Sequence, residues 1–243
     1  MAEKILTITE VTAMHSDNVC IAGVNFNLAC IRPVLSRGQI KKSHLFKSEK
    51  LIIYPGAEVL FNLLSADPHP PHIEDWIFDG SIAYKGKVTE NAWRDLLDKT
   101  SSNSFAELFP NMQERYVPPD STGPSIGGLL PKEIVIDYDS YYNRLRMVIV
   151  DKTGIRKERV PITDFAFRNL FFKHMLNKLG GREAVIELNN KISEREICLR
   201  LGLSRPYLNA PVPYSGWCCL QVNGIHTLPD LYDGDYSRWI TLE

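Results

Sequence analysis

No apolar run in this chain approaches the roughly 18 residues that a membrane-spanning helix needs, and the opening MAEKILTITE has no apolar core of the kind a secretory signal carries. Both absences lead to the expectation of a cytoplasmic protein that does not span a membrane. Cysteine is sparse and odd in number. Cys20, Cys30, Cys198, Cys218 and Cys219 include no CxxC pair, so they read as small buried apolar groups in a reducing compartment. Neither sign of charge dominates. The 28 Lys and Arg against 29 Asp and Glu leave a formal net charge of −1, so any nucleic-acid binding must come from a local basic face. A phosphate loop, a dinucleotide fingerprint, a nucleophile elbow, a zinc-ligand pair and the kinase motifs are all missing. No catalytic residue, cofactor or metal is therefore expected.

What is present is ordinary globular text, 44% hydrophobic and 23% charged, sufficient for a packed core. The first third reads as strands: ILTITEV (5–11), DNVCIAGVNF (17–26) with Gly23 at a bulge, and LACIRPV (28–34) after a tight turn at Asn25–Asn27. Residues 36–50 read as a long basic loop, and LIIYPGAEVLFNLLSA (51–66) as strand. ADPHPPH (66–72) reads as a rigid proline turn, followed by a strand pair around Asp79–Gly80 in 72–88. TENAWRDLLDK (89–99) predicts a helix capped by Thr89, with Ala92, Trp93, Leu96 and Leu97 on one stripe, and SFAELF (104–109) a second short one. The Pro-, Gly- and Ser-rich stretch 111–128 reads as a linker.

Beyond it come strands at 132–138, 144–151 and 155–163, the last two a hairpin through Lys152-Thr153-Gly154, and then a helix capped by Asp164 and stopped by Gly180–Gly181. AVIELNN (184–190), REICLRLGL (195–203) and GWCCLQVNGI (216–225) read as the closing strands. The expected architecture is mostly β with minor α: a first barrel over 1–110, the linker 111–128, a second barrel over 129–225, each with an added helix, and an acidic–aromatic tail over 226–243.

Candidate chemistry is sparse. His69 and His72, with Asp67 or Glu74, read as a surface turn rather than a metal site. Glu74 and Asp75 are adjacent on a strand and so point to opposite faces, which argues against an acid–base pair and for one solvent and one structural carboxylate. Phe167, Leu170, Phe171, His174, Met175 and Leu179 read as a core stripe. The basic residues are more informative. Arg144 and Arg146 share one strand face, and Arg156 or Lys157 is expected opposite them across the hairpin. With Arg37, Lys41 and Lys42 of the 36–50 loop, and Arg32, they form the candidate phosphate-contacting set. A metal-dependent nuclease would draw on Asp79, Asp137 or Asp139, which are scattered. In the tail, Tyr232, Tyr236 and Trp239 are separated by acids. This pattern suits either a docking segment for a protein partner or a flap that covers an open edge of the same chain.

An ordered set of stretches, CIAGVNFNLACIRPV (20–34), LFNLLSADPHPPHIEDWIFD (60–79), RVPITDF (159–165), EICLRLGLSRPY (196–207) and GWCCLQV (216–222), resembles the bacterial dual OB-containing domain family. The matching positions are Cys20, Arg32, Pro33, Glu74, Trp76, Thr163 and Asp164. Phe165 stands where the family usually has proline, and the tail extends past the family's usual last strand. The resemblance implies two tandem OB-like β-barrels and a non-catalytic, nucleic-acid-related role in prokaryotic defence or genome maintenance. A nuclease, helicase or motor ATPase encoded nearby would be the protein partner. The alternative it leaves open is a structural adaptor for such a partner.

Overall fold

The computed structural model describes residues 2–242. Its N-terminal half is a closed barrel of five strands: β1 (Ala2–Ala13), β2 (Val19–Val24), β3 (Cys30–Leu35), β4 (Ala57–Ala66) and β5 (Asp75–Lys87). They pair in the order β1-β2-β3-β5-β4, with β4 returning to β1. All neighbours are antiparallel except β3 and β5, which run parallel from Arg32–Asp75 to Leu35–Phe78. Alternate residues such as Leu6, Ile8, Val59, Phe61 and Leu63 fill the interior, and Phe61 meets Phe78 edge-on at 5.5 Å.

Several pairings slip in register, and the slip in β1 matters most. The β1–β2 register slips between Ile8 and Glu10, opposite Gly23 and Ala22. Gly23 sits at the slip because a Cβ there would lie 2.5 Å from the Thr7 carbonyl oxygen. The bulge buries Thr9 and Glu10 together.

Helix α1 (Glu90–Lys99) begins where Thr89 Oγ1 accepts the Ala92 amide at 3.3 Å. The short α2 (Phe105–Leu108) follows. Strands β6 (Ile126–Leu129), β7 (Glu133–Asp139), β8 (Arg144–Val150) and β9 (Arg156–Pro161) come next. A continuous helical segment α3 (165–179) contains a π-helical stretch, Leu170–Met175. Helix α4 (Gly181–Ser193) and strands β10 (Glu196–Leu203) and β11 (Cys218–Leu228) complete the half. One sheet pairs β6-β10-β11 and the other β7-β8-β9. A parallel bridge between Ile162 and Val222 joins them, with Thr163 N donating to the Val222 carbonyl at 2.8 Å. The result is a half-barrel whose core holds Met147, Ile149, Phe167, Phe171, Leu199 and Leu201. The chain is thus mostly β, with one closed barrel and one half-barrel. Among the described residues no helix is long and apolar enough to cross a membrane.

Four local expectations need correction. Residues 184–190 are helical, not strand: Ala184, Leu188 and Ile192 recur every four residues and are buried as one stripe of α4. Residues 72–88 hold one long strand, in which Gly80 (φ +92°) bends β5 without turning the chain back. The 36–50 loop contains a 3-10 turn (Lys42–Leu45) and a small hairpin that bury Ile40 and Leu45. The 111–128 stretch is not a loose tether. Tyr116 and Val117 pair with β11, Ser121 and Ser125 are buried, and β6 begins at Ile126. Ser101 and Ser102, ahead of it, already pair with β6.

Candidate nucleic-acid interface

The predicted phosphate contacts fall into three environments. Arg32 is buried: its Nε lies 2.5 Å from Asp75 Oδ1, so it holds the fold and does not face solvent. Arg37 and Lys41 are exposed on the 36–45 segment. Lys42 pairs with Asp17 at 3.3 Å and lies over the Phe165 ring. Arg144, Arg146, Arg156 and Lys157 lie on the β8–β9 hairpin.

That hairpin differs from expectation in register. Arg156 pairs with Val150 and Lys157 with Ile149, so neither stands opposite Arg144 or Arg146. Arg156 instead binds Glu158 at 2.9 Å, and Lys157 lies over the Phe105 ring. A bulge between Met147 and Ile149 shifts the pairing, and Arg159 adopts φ 53° there. Arg159 therefore turns toward β7, where it pairs with Asp139 at 3.3 Å. Arg115, from the stretch read as linker, donates to the Arg159 carbonyl and lies over the Tyr116 ring. Four arginines, 115, 144, 146 and 159, thus share one face, and Arg115 was not foreseen because only the fold brings it there. Burial, then Arg144, Arg115 and Arg159, hold Arg146 below the usual guanidinium range. Beside them the β7–β8 loop carries Tyr141 and Tyr142, 86% and 59% exposed, with ring centroids 4.7 Å apart.

The other candidates are structural. His69 contacts the Asp67 carbonyl at 3.0 Å and His72 contacts Ser125 Oγ at 3.2 Å. Glu74 and Asp75 are both buried, which corrects the expectation of one solvent carboxylate. Glu74 accepts from Ser125 N and Oγ at 2.7 and 2.6 Å, and Asp75 binds Arg32 and Arg205. Asp79 accepts from Asn62 and Ser81, Asp137 from the Tyr138 amide, and Asp139 from Arg159 and the Tyr142 amide. Among the described residues no three His, Cys, Asp or Glu converge as metal ligands would. Tyr232 and Tyr236 are buried in the chain's own core, so neither ring is presented to a partner in this arrangement. Trp239 is half-buried against His174 at 4.8 Å, and Glu243 lies outside the described residues.

The seam between the two halves holds buried polar residues. Glu10 meets Arg200, His226 Nε2 donates to the Thr9 carbonyl at 2.7 Å, and Asp164 accepts from the Phe167 and Ile225 amides at 3.0 and 2.8 Å. Burial, with Arg32 and Arg205 nearby, pushes His72 down to about 3, and burial, with Arg200 nearby, pushes His226 down to about 4. Burial lifts Asp164 to about 7 against the pull of its backbone donors. The signs oppose. A histidine kept neutral contributes stability above its unfolded pKa, near 6.5, that is lost as pH falls toward the folded value. A carboxylate with a raised pKa favours the fold increasingly as pH falls from 7 toward 4. Two histidines outweigh one carboxylate, so stability drops by roughly 1–2 kcal/mol between pH 7 and 5. Urea midpoints at the two pH values check this. His226→Gln should flatten the profile, and a wild-type stability that rises on acidification would rule the assignment out.

No family model matches the sequence, and no curated protein matches it.

Proposed function

We propose that this chain is a non-catalytic nucleic-acid-binding protein of two OB-like barrels in tandem, acting in the cytoplasm as an accessory subunit of a prokaryotic defence or genome-maintenance complex. Support for the barrel reading is the pairing order. An OB barrel joins its five strands 1-2-3-5-4-1 with the third and fifth parallel, and β1-β2-β3-β5-β4 follows that order. In the second half, the β7-β8-β9 meander and the β10-β11 pair are compatible with the same order, although among the described residues β7 does not pair with β10 to close it. The Ile162–Val222 bridge supplies the parallel contact, α3 and α4 lie between the third and fourth strands, and β6 occupies the position beside β10.

The observation that carries the binding reading is the face formed by Arg115, Arg144, Arg146 and Arg159. Only Arg159 has an acidic ion-pair partner among the described residues, and two exposed tyrosines lie beside the cluster. Cations answer phosphates and exposed rings stack on unpaired bases, so the ligand is single-stranded. Fluorescence anisotropy with short single-stranded DNA and RNA should show affinity that falls steeply between about 50 and 200 mM salt. Arg144→Glu should weaken it at least about tenfold and flatten the salt slope by about one unit. Binding to neither DNA nor RNA at low salt would end this reading.

A further inference from the structure

We infer that the cluster of Arg115, Arg144, Arg146 and Arg159 holds one terminal phosphate, a phosphomonoester at the end of a nucleic-acid strand. The inference rests on the nucleic-acid reading above and narrows it. The four side chains come from three elements: Arg144 and Arg146 from β8, Arg159 from the bulge of β9, and Arg115 from the segment leading into Tyr116. Acid compensation is thin. Asp139 pairs with Arg159, while Asp137, which stands opposite Arg146 in the register, turns its Oδ1 onto the Tyr138 amide at 2.9 Å. Arg144 and Arg146 have no ion pair among the described residues, and the Nε of Arg146 is buried with no hydrogen-bond partner.

Like charges placed together in this way repel, and that repulsion adds to burial, the larger cause, in holding Arg146 below its usual range. A backbone diester carries one charge, and its cations are spread along the strand. A monoester carries about −1.5 to −2 at pH 7 and offers three free oxygens, which suits several guanidiniums converging on one point. An aromatic shelf adjoins the cluster. Tyr116 stacks on Tyr214 at 4.8 Å, Tyr214 meets Trp217 edge-on at 5.4 Å, and Arg115 lies over Tyr116. Tyr214 and Trp217 are half-buried and leave ring surface for the terminal base.

The test has two arms. In the first, thermal unfolding of the full chain is followed in inorganic phosphate and in chloride of matched ionic strength. Phosphate should raise the melting temperature and chloride should not. In the second, anisotropy compares single strands that differ only in a 5′-phosphate, a 3′-phosphate or hydroxyl ends. One phosphorylated end should bind at least about tenfold tighter than the hydroxyl form, a difference of about 1.4 kcal/mol. Arg146→Gln should erase both effects, and because it relieves repulsion it should not lower the melting temperature in the absence of phosphate. Arg144→Gln, at an exposed position, is the second variant and should behave alike. Equal affinity for all three ends with no phosphate-specific shift would overturn this inference and leave the nucleic-acid reading standing. A phosphate-specific shift with no strand binding would overturn the strand-end assignment and give the cluster to a free phosphorylated compound.

Discussion

Replacing Glu10 by Gln will destabilise the protein by about 3–5 kcal/mol, because it strands a buried cation. Arg200 and Glu10 meet at 2.9 Å with side chains only 1% and 2% exposed. Burial works against the charge on Arg200, but Glu10 foremost, together with Cys30 and Cys198, outweighs it, so the guanidinium stays protonated. Its other contacts are weak: the Thr100 carbonyl at 3.4 Å and the Cys30 sulfur at 4.0 Å. Neither replaces a carboxylate. The pair also ties β1 of the first half to β10 of the second, so the loss is felt across the seam. Replacing both residues by apolar ones of similar size, Glu10→Leu with Arg200→Met, should recover most of the loss, since no charge is then left buried. Urea unfolding of the two variants decides it. A cost below about 1 kcal/mol for Glu10→Gln would mean that water reaches the pair.

The sequence pattern carried the β class, the helix at 89–99 with its Thr89 cap, and the Asp164 cap, because each rests on contacts within a few residues. Elsewhere long-range contacts overrode local text. AVIELNN is rich in β-branched residues, yet its Ala184–Leu188 spacing packs as helix. Glu10 could not be read as a buried ion-pair member, because its partner Arg200 lies 190 residues away and nothing in the local text announces it. The basic face was legible in part: Arg144 and Arg146 alternate on one strand, which needs only period 2. Its other half was not, because a bulge moved Arg159 into the place expected for Arg156, and Arg115 arrives from a segment with no periodicity. Arg32 shows the opposite limit, since a basic residue in sequence carries no sign of the buried Asp75 that neutralises it.

Removing residues 229–243 should lower the melting temperature by at least about 10 °C, or leave the chain insoluble, because this tail forms part of the core. Tyr232, Tyr236 and Ile240 are all at most 5% exposed. The Tyr236 ring stacks on Tyr54 of the first half at 5.8 Å and meets Tyr232 at 4.8 Å. The tail is also pinned at both ends of its path. Lys87 Nζ donates to the Gly234 carbonyl at 2.9 Å, and Asn169 Nδ2 donates to the Trp239 carbonyl at 2.7 Å, linking β5 of the barrel to α3 of the second half. Each fully buried large side chain is worth about 1.5–3 kcal/mol, so the segment contributes more than about 5 kcal/mol. That is comparable with the whole stability of a domain, and at roughly 2–4 °C per kcal/mol it sets the expected shift. Tyr236→Ala isolates the largest share and should cost about 3–5 kcal/mol. The acids that separate these rings need no partner groove to explain them. Asp230 accepts the amides of Tyr232 and Gly234, and Asp235 caps the turn at Ser237, so they shape the path that seats the aromatics. Thermal scans of the truncated chain and of Tyr236→Ala test the argument. A truncated chain that melts within a few degrees of wild type while failing to assemble with a co-purifying protein would instead make the tail a docking element.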